Sequence, residues 1–198
     1  MSDSQDVLFS AAVKAEQERL GSRTQFQDRE WATEITDNLR QFLDAIDTFF
    51  LATASADGRP YMQHRGGPPG FLKPIGPTTL AFADFAGNRQ YITTGNLAEN
   101  PRAVLFLMDY LHRKRVKIWG QARVIENDPE LIARLFPEDY RARPEAAIIF
   151  TVEAWDANCP QHIPQMVFAE DVAAAIEAHN ERIAALEAEN ARLRGDAG

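Results

Sequence analysis

One cysteine, Cys159, is all that the 198 residues contain, so no disulfide can form within the chain. A core stapled by disulfides is excluded, and the composition fits a reducing, cytoplasmic setting. No apolar run is long enough to cross a bilayer. Residues 1–6 are acidic and polar, unlike a signal peptide, so no membrane association is expected. Positive charge is also short: 21 lysines and arginines against 29 acidic residues leave a net charge of −8. That balance argues against nucleic acid as a partner. The phosphate-loop signature and the spaced glycine fingerprint of dinucleotide-binding turns are both missing. The four histidines, His64, His112, His162 and His179, are scattered and form no Ser-His-Asp spacing. Cys159-Pro160-Gln161-His162 offers two metal ligands, but a structural zinc site needs four and no second pair is visible, so no metal is expected.

What is present is the composition of a soluble globular protein, 45% apolar and 25% charged. The length supports one sizeable core with room for an appendage. Charge is spread unevenly. Residues 58–123 hold ten lysines and arginines against three acidic residues, a cationic middle in an acidic chain. An anionic small ligand would account for it. So would arginines pairing with the acidic helices on either side.

Periodicity predicts a helix over residues 6–20, closed by Gly21, and a second over about 31–46, with Ile35, Leu39, Phe42, Leu43 and Ile46 on one face. The period then changes. Phe49-Phe50-Leu51-Ala52-Thr53-Ala54 reads as a buried strand, Asp57-Gly58 as a hairpin turn, and residues 60–65 as the returning strand. Gly66-Gly67-Pro68-Pro69-Gly70 is a loop. Further strands are expected near 78–84, 102–110, 113–125 and 146–155, with helices near 88–98 and 129–136. Mostly antiparallel strands with few helices point to a closed or partly closed barrel.

Two strands carry more than topology. Residues 102–110 are apolar on both faces, so the outer face needs a cover, and a dimer is expected. In residues 113–125, Val116, Ile118, Gly120, Ala122 and Val124 point one way and Arg115, Lys117, Trp119, Gln121 and Arg123 the other. The second face can cover an anionic aromatic ligand at a subunit boundary, or it can simply be solvated. From Glu170 to Arg194, Ile176, Ile183 and Asn190 recur every seven residues, as do Val172, His179, Leu186 and Leu193. This is a heptad seam with Asn190 at an a position. It can pair with another helix or lie on its own barrel, and His179 within it reads as structural.

The segment richest in chemistry is Gly87-Asn88-Arg89-Gln90, directly after the apolar run Leu80-Ala81-Phe82-Ala83. A strand ending in such a turn, with helix-compatible sequence behind it, offers backbone N–H groups and an arginine to a phosphate. With no evident protein nucleophile, a phosphorylated cofactor would carry the chemistry, and a flavin fits best.

Here the chain resembles a known family, the pyridoxamine 5′-phosphate oxidase-like split barrels that bind FMN. The likeness rests on Phe50-Leu51-Ala52-Thr53-Ala54-Ser55-Ala56-Asp57-Gly58-Arg59-Pro60-Tyr61, on Gln63-His64-Arg65-Gly66-Gly67-Pro68-Pro69-Gly70-Phe71, and on Gly87-Asn88-Arg89-Gln90-Tyr91. Gly95-Asn96-Leu97, Asn100-Pro101-Arg102 and Arg115-Val116-Lys117-Ile118-Trp119-Gly120 complete it, over roughly residues 40–160. The resemblance implies a mainly β protein with flanking helices (α+β), a six-stranded antiparallel split barrel. It also implies a homodimer with FMN at the subunit interface. On this basis residues 1–169 form the FMN-binding domain with its N-terminal helices, and residues 170–198 a C-terminal helical extension.

By position, the resemblance places Gln63, His64 and Arg65 along the flavin and its phosphate, and Phe82 and Ala83 as a backbone pair beside the cofactor. Asn88, Arg89 and Gln90 fall on the phosphate segment, where the oxidase has a lysine in place of Gln90; Lys117 or Arg65 would compensate. Arg115 falls near the ring across the dimer boundary, and Trp155 at the family's tryptophan near FMN. The ending departs from that of the oxidase, since Asp156-Ala157-Asn158-Cys159-Pro160-Gln161-His162-Ile163 replaces its arginine-bearing terminus. Cys159, Gln161 and His162 either line a different substrate pocket or form a turn that closes the barrel. The expectation is an FMN-dependent oxidoreductase acting on a small-molecule substrate or electron donor, with His64 and His162 as candidate proton donors. A non-catalytic flavin-binding or partner-binding module and a haem-handling split barrel are the alternatives.

Overall fold

The computed structural model describes residues 4–137, 140–158 and 161–195. The N-terminal region holds α1 (Ser4–Leu8), α2 (Ala11–Arg19) and α3 (Asp37–Ala45), followed by strands β1 (Thr48–Ala54), β2 (Pro60–Gly66), β3 (Lys73–Pro74) and β4 (Thr79–Phe85). Then come α4 (Ile92–Glu99), β5 (Arg102–Asp109), β6 (Lys114–Ile125), α5 (Pro129–Leu135), β7 (Pro144–Asn158) and α6 (Ala169–Gly195). Two compact units are present: residues 110–113 with 162–198 form one, and the rest of the chain the other.

The larger unit is a seven-stranded sheet in the order β2-β1-β5-β6-β7-β4-β3, and every named pair in it is antiparallel. The sequence predicts six strands. The seventh, β3, lasts two residues because it follows the glycine- and proline-rich loop and its second residue, Pro74, has no N–H to donate. The sheet curls strongly, since Arg65 on the edge strand β2 ion-pairs with Asp84 on β4, near the other end of the strand order.

The core lies inside this curl. Alternation on β1 buries Phe49 and Leu51, on β5 Leu105 and Leu107, and on β6 Val116 and Ile118. Phe49 stacks on Phe71 at 5.3 Å between ring centroids and meets Phe82 edge-on at 5.1 Å. The outer residues of β5, Val104, Phe106 and Met108, are half-buried. α3 closes one side with Leu39 and Leu43, both essentially inaccessible.

Helix boundaries differ from the predicted ones for local reasons. The helix expected over 6–20 is broken at Phe9-Ser10, where Ser10 caps α2 by accepting from Val13 N. The helix expected over 31–46 begins at Asp37, because Thr36 caps it and the preceding segment is tied elsewhere. Ile35 N donates to Pro77 O, and Ala32 bridges to Trp155. The helix expected near 88–98 begins at Ile92, since Arg89 and Tyr91 both have left-handed backbones, with φ of 61° and 52°.

A bulge at Trp119/Gly120 decides what β7 presents. Gly120 pairs with Val152 and Trp119 with Ala154, so β7 carries one extra residue. Trp155 consequently sits opposite the buried Ile118, and Lys117 opposite Asp156. No helix among the described residues is long and apolar enough to cross a membrane.

Candidate functional site

The turn after β4 opens onto a small hollow lined by Gln63 and Arg65 of β2, Asp84 and Phe85 at the end of β4, residues 87–91, the first residues of α4, and Glu145 of β7. Period-2 alternation puts Gln63 and Arg65 on the same face of β2. Thr93 Oγ1 donates to Gln63 Oε1 at 3.0 Å, tying the first turn of α4 to β2. The turn itself is tightened by Asn88, whose Oδ1 accepts from Gln90 N at 3.2 Å. Two residues in left-handed backbone, Arg89 and Tyr91, hold it in that shape without a glycine at either position.

Tyr91 stands at the N-cap of α4 and makes no side-chain capping bond. Its first N–H groups therefore lack the usual Ser, Thr or Asp acceptor and carry the positive end of the helix dipole. Beside them stand Arg65 and Arg89. Arg65 is largely buried and bonded to Asp84, yet its Nε has no partner. Arg89 is exposed, its high pKa raised further by hydrogen bonding to Tyr91.

Two carboxylates temper this cationic corner. Burial holds the Asp84 carboxyl above its ordinary value of 3.8; the Arg65 guanidinium opposes that shift and the nearby Glu145 adds to it. Desolvation outweighs the ion pair, so the charged form of Asp84 is the costly one here.

The structure brings five of the expected residues together: Gln63, Arg65, Asn88, Arg89 and Gln90 all line the hollow. It sends others elsewhere. His64 alternates to the opposite face of β2, where its Nε2 lies 2.5 Å from Thr48 Oγ1 and its ring meets Phe50. The side chains of Phe82 and Ala83 are buried in core clusters, leaving only their backbone for a ligand. Past its pairing with β3 at Leu80 and Ala81, β4 carries Phe82 and Ala83 paired with β7 alone, so one backbone edge stays unladdered there.

Arg115 and Lys117 are half-buried on β6, away from the lining of the hollow. Arg115 Nε is buried without a partner, and Lys117 Nζ stands 5.5 Å from the Trp119 ring centroid. Trp155 donates from Nε1 to Glu34 O at 2.8 Å and packs against the core. His162 is an exposed residue of the smaller unit with φ of 63°. Cys159 lies outside the described residues. Among the described residues no cluster of three or more His, Cys, Asp or Glu is placed to hold a metal.

Of the residues lining the hollow, sequence reasoning gave no role to Asp84, Tyr91, Thr93 and Glu145. Asp84 had a signal, an acid ending an apolar strand beside the glycine turn. Glu145 had none, because it reaches the site only through the pairing of β7 with β4.

Comparison with known proteins agrees with this architecture. Two structures of HupZ from Group A Streptococcus resemble the chain. One, at 16% identity, covers 67% of this chain and 99% of its own, with a TM-score of 0.52. The other, a histidine-to-alanine variant of the same protein, is 17% identical, covers 63% and 99%, and has a TM-score of 0.51. A protein from Clostridium acetobutylicum, related to general stress protein 26 and of the pyridoxinephosphate oxidase family, is 14% identical. It covers 65% of this chain and 89% of its own, with a TM-score of 0.47. No curated protein matches the chain. The family model for pyridoxamine 5′-phosphate oxidase matches residues 35–159. That span takes in β1 to β7, the hollow and its turn, and the chain belongs to the pyridoxamine 5′-phosphate oxidase family.

Proposed function

We propose that this protein is an FMN-dependent oxidoreductase, a homodimer built on a split barrel, acting on a small molecule. The observation that carries the reading is the uncapped start of α4 beside Arg89 and the unpartnered Nε of Arg65. Several N–H donors and two guanidinium groups converge there, the donor set a phosphate monoester requires. Family membership makes the flavin phosphate the favoured occupant. When bound, FMN would supply hydride or single-electron transfer.

The roles of the chain's residues follow from their placement. Arg89 and the first amides of α4 hold the phosphate, and Arg65 stiffens the wall behind it while engaged to Asp84. Gln63 fixes α4 against β2 through Thr93. The open backbone edge at Phe82 and Ala83 offers hydrogen bonds to a planar ligand beside it. The half-buried outer residues of β5, and Arg115 with its orphaned Nε, support a second protomer on that side of the sheet. In this reading the partner brings Arg115 and Lys117 to the flavin. The engagement of His64 with Thr48 and Phe50 takes it away from the phosphate end of the site.

The test is release and identification. Denaturing the purified protein should free a yellow chromophore with the mass of FMN. Arg89→Ala should weaken FMN binding about tenfold or more, with the circular dichroism spectrum unchanged. A Soret band in place of a flavin spectrum, or unaltered affinity in Arg89→Ala, overturns the assignment. Bound flavin with no turnover across reductants and acceptors would keep the site and remove the enzyme.

A further inference from the structure

The helix α6 runs 27 residues, from Ala169 to Gly195, and none of its residues is buried. At 1.5 Å per residue it extends about 40 Å. Its apolar side chains nevertheless fall into a heptad seam. Ile176, Ile183 and Asn190 take the a positions, and Val172, His179, Leu186 and Leu193 the d positions. Ile176, Ile183 and Leu193 are each more than half exposed, at 56%, 53% and 55%. Val167, ahead of the helix, joins Val172, Ala175 and Ile176 along one apolar furrow. A seam of this kind costs solvation unless another helix covers it.

We propose that α6 is covered by α6 of a second copy of this chain, as a parallel, in-register two-stranded coiled coil. Three features select that occupant. Isoleucine at a with leucine at d favours two strands. In a parallel in-register pair Asn190 faces Asn190 of the partner subunit, the arrangement in which a buried amide fixes register and orientation. Asn190 bonds Leu186 O through Nδ2, which leaves its second N–H and its Oδ1 for the partner. An antiparallel helix would instead set Asn190 against a d residue, none of which is an asparagine, and the amide pair would be lost.

The flanking charges make the same choice. In a parallel dimer each g residue meets the e residue five positions on in the other helix. Arg182 at g then faces a glutamate, that of position 187, and Glu189 at g faces an arginine, that of position 194. Both pairs are attractive, and symmetry doubles them to four. The remaining g position, Ala175, carries no charge to oppose them. Hydrophobic pattern, buried amide and edge charges therefore agree on one partner, one direction and one register.

The full-length chain provides the test, in a Cys159→Ser background whose circular dichroism matches the wild type. Single cysteines are placed at two d positions, Val172→Cys and Leu193→Cys, and at an outer position, Ala188→Cys. Under dilute air oxidation both d-position variants should form disulfide-linked dimers as the major species, several-fold more than Ala188→Cys. Arg182→Glu should lower the yield at Leu193→Cys, and adding Glu187→Arg should restore it. Dimerisation through another surface would link inner and outer positions alike, so the contrast between them isolates the seam. Linkage at neither d position, or equal linkage at Ala188→Cys, overturns the pairing. Linkage at only one of the two d positions overturns the parallel register.

Discussion

Replacing Gly120 with alanine should damage this fold more than any other single methyl group added to the glycines of the sheet. A Cβ at position 120 would lie 1.9 Å from Thr151 O and 2.7 Å from Phe150 Cε1. Real Cβ contacts essentially never fall under 3.0 Å, so β7 would have to retreat by more than 1 Å at its bulge. Phe150 is fully buried and cannot swing aside. Overpacking of this kind costs about 1–3 kcal/mol. Loosening one or two ladder hydrogen bonds beside the bulge adds about 1 kcal/mol each. A loss of about 3–4 kcal/mol, against a usual total of about 5–15 kcal/mol, lowers Tm by roughly 10 °C in a chain of this size. Gly95→Ala is the matched control, because a Cβ there meets nothing within 4 Å and the position is inside α4. That substitution should stabilise by up to about 1 kcal/mol. Calorimetry and urea titration of the two variants separate sterics from chain entropy. If Gly120→Ala melts within about 1 °C of wild type, the close approach of β6 and β7 is not what the geometry says.

The other expectations concern the hollow and the caps. Asp84 binds its proton more tightly folded than unfolded. Its contribution to stability is therefore full below pH 3.8 and lost as pH rises through the folded value. Asp84→Asn removes that dependence, so the stability of wild type minus variant, from urea midpoints, should fall with rising pH across this window; a flat or rising difference refutes it. Asp84→Asn should also tighten binding of a phosphorylated ligand several-fold at neutral pH, measured by calorimetric titration, by removing a like charge and freeing Arg65. A cation beside the ring favours the anionic reduced flavin, so under the proposed placement Arg115→Gln should lower the potential of bound flavin, and an unchanged midpoint in potentiometry refutes that placement. Ser10→Ala should cost about 1 kcal/mol by uncapping α2, with the loss read from thermal melts.

Much of the sheet was legible because its signals are local. Alternation at Val116, Ile118, Gly120 and Ala122 gives the inner face of β6, and Asp57-Gly58 gives the β1–β2 turn. Helix starts were less legible, since they depend on partners far along the chain. Ile35 has helix spacing with Leu39, but its N–H is taken by Pro77 O and it stays outside the helix. The turn at Arg89 and Tyr91 hides its left-handed backbone because neither residue is glycine. The position of Trp155 depends on one inserted residue in β7, which no pattern in either strand alone announces.

The site shows the same division between local and distant signals, and it changes the electrostatic argument. Residues 58–123 are strongly cationic in sequence, yet most of those charges never reach the hollow. Within it, Arg65 and Arg89 face Asp84 and Glu145, and side-chain charge alone nearly cancels. In the proposed reading, what would tip the balance toward an anion is the backbone. The first N–H groups of α4 have no side-chain acceptor, and the left-handed residues before them fix their direction. A charge count sees the arginines and misses the amides. The tight turn that reads in sequence as a mount for Arg89 would thus, in the proposed reading, serve a phosphate through its own peptide groups as well as through the side chain it displays.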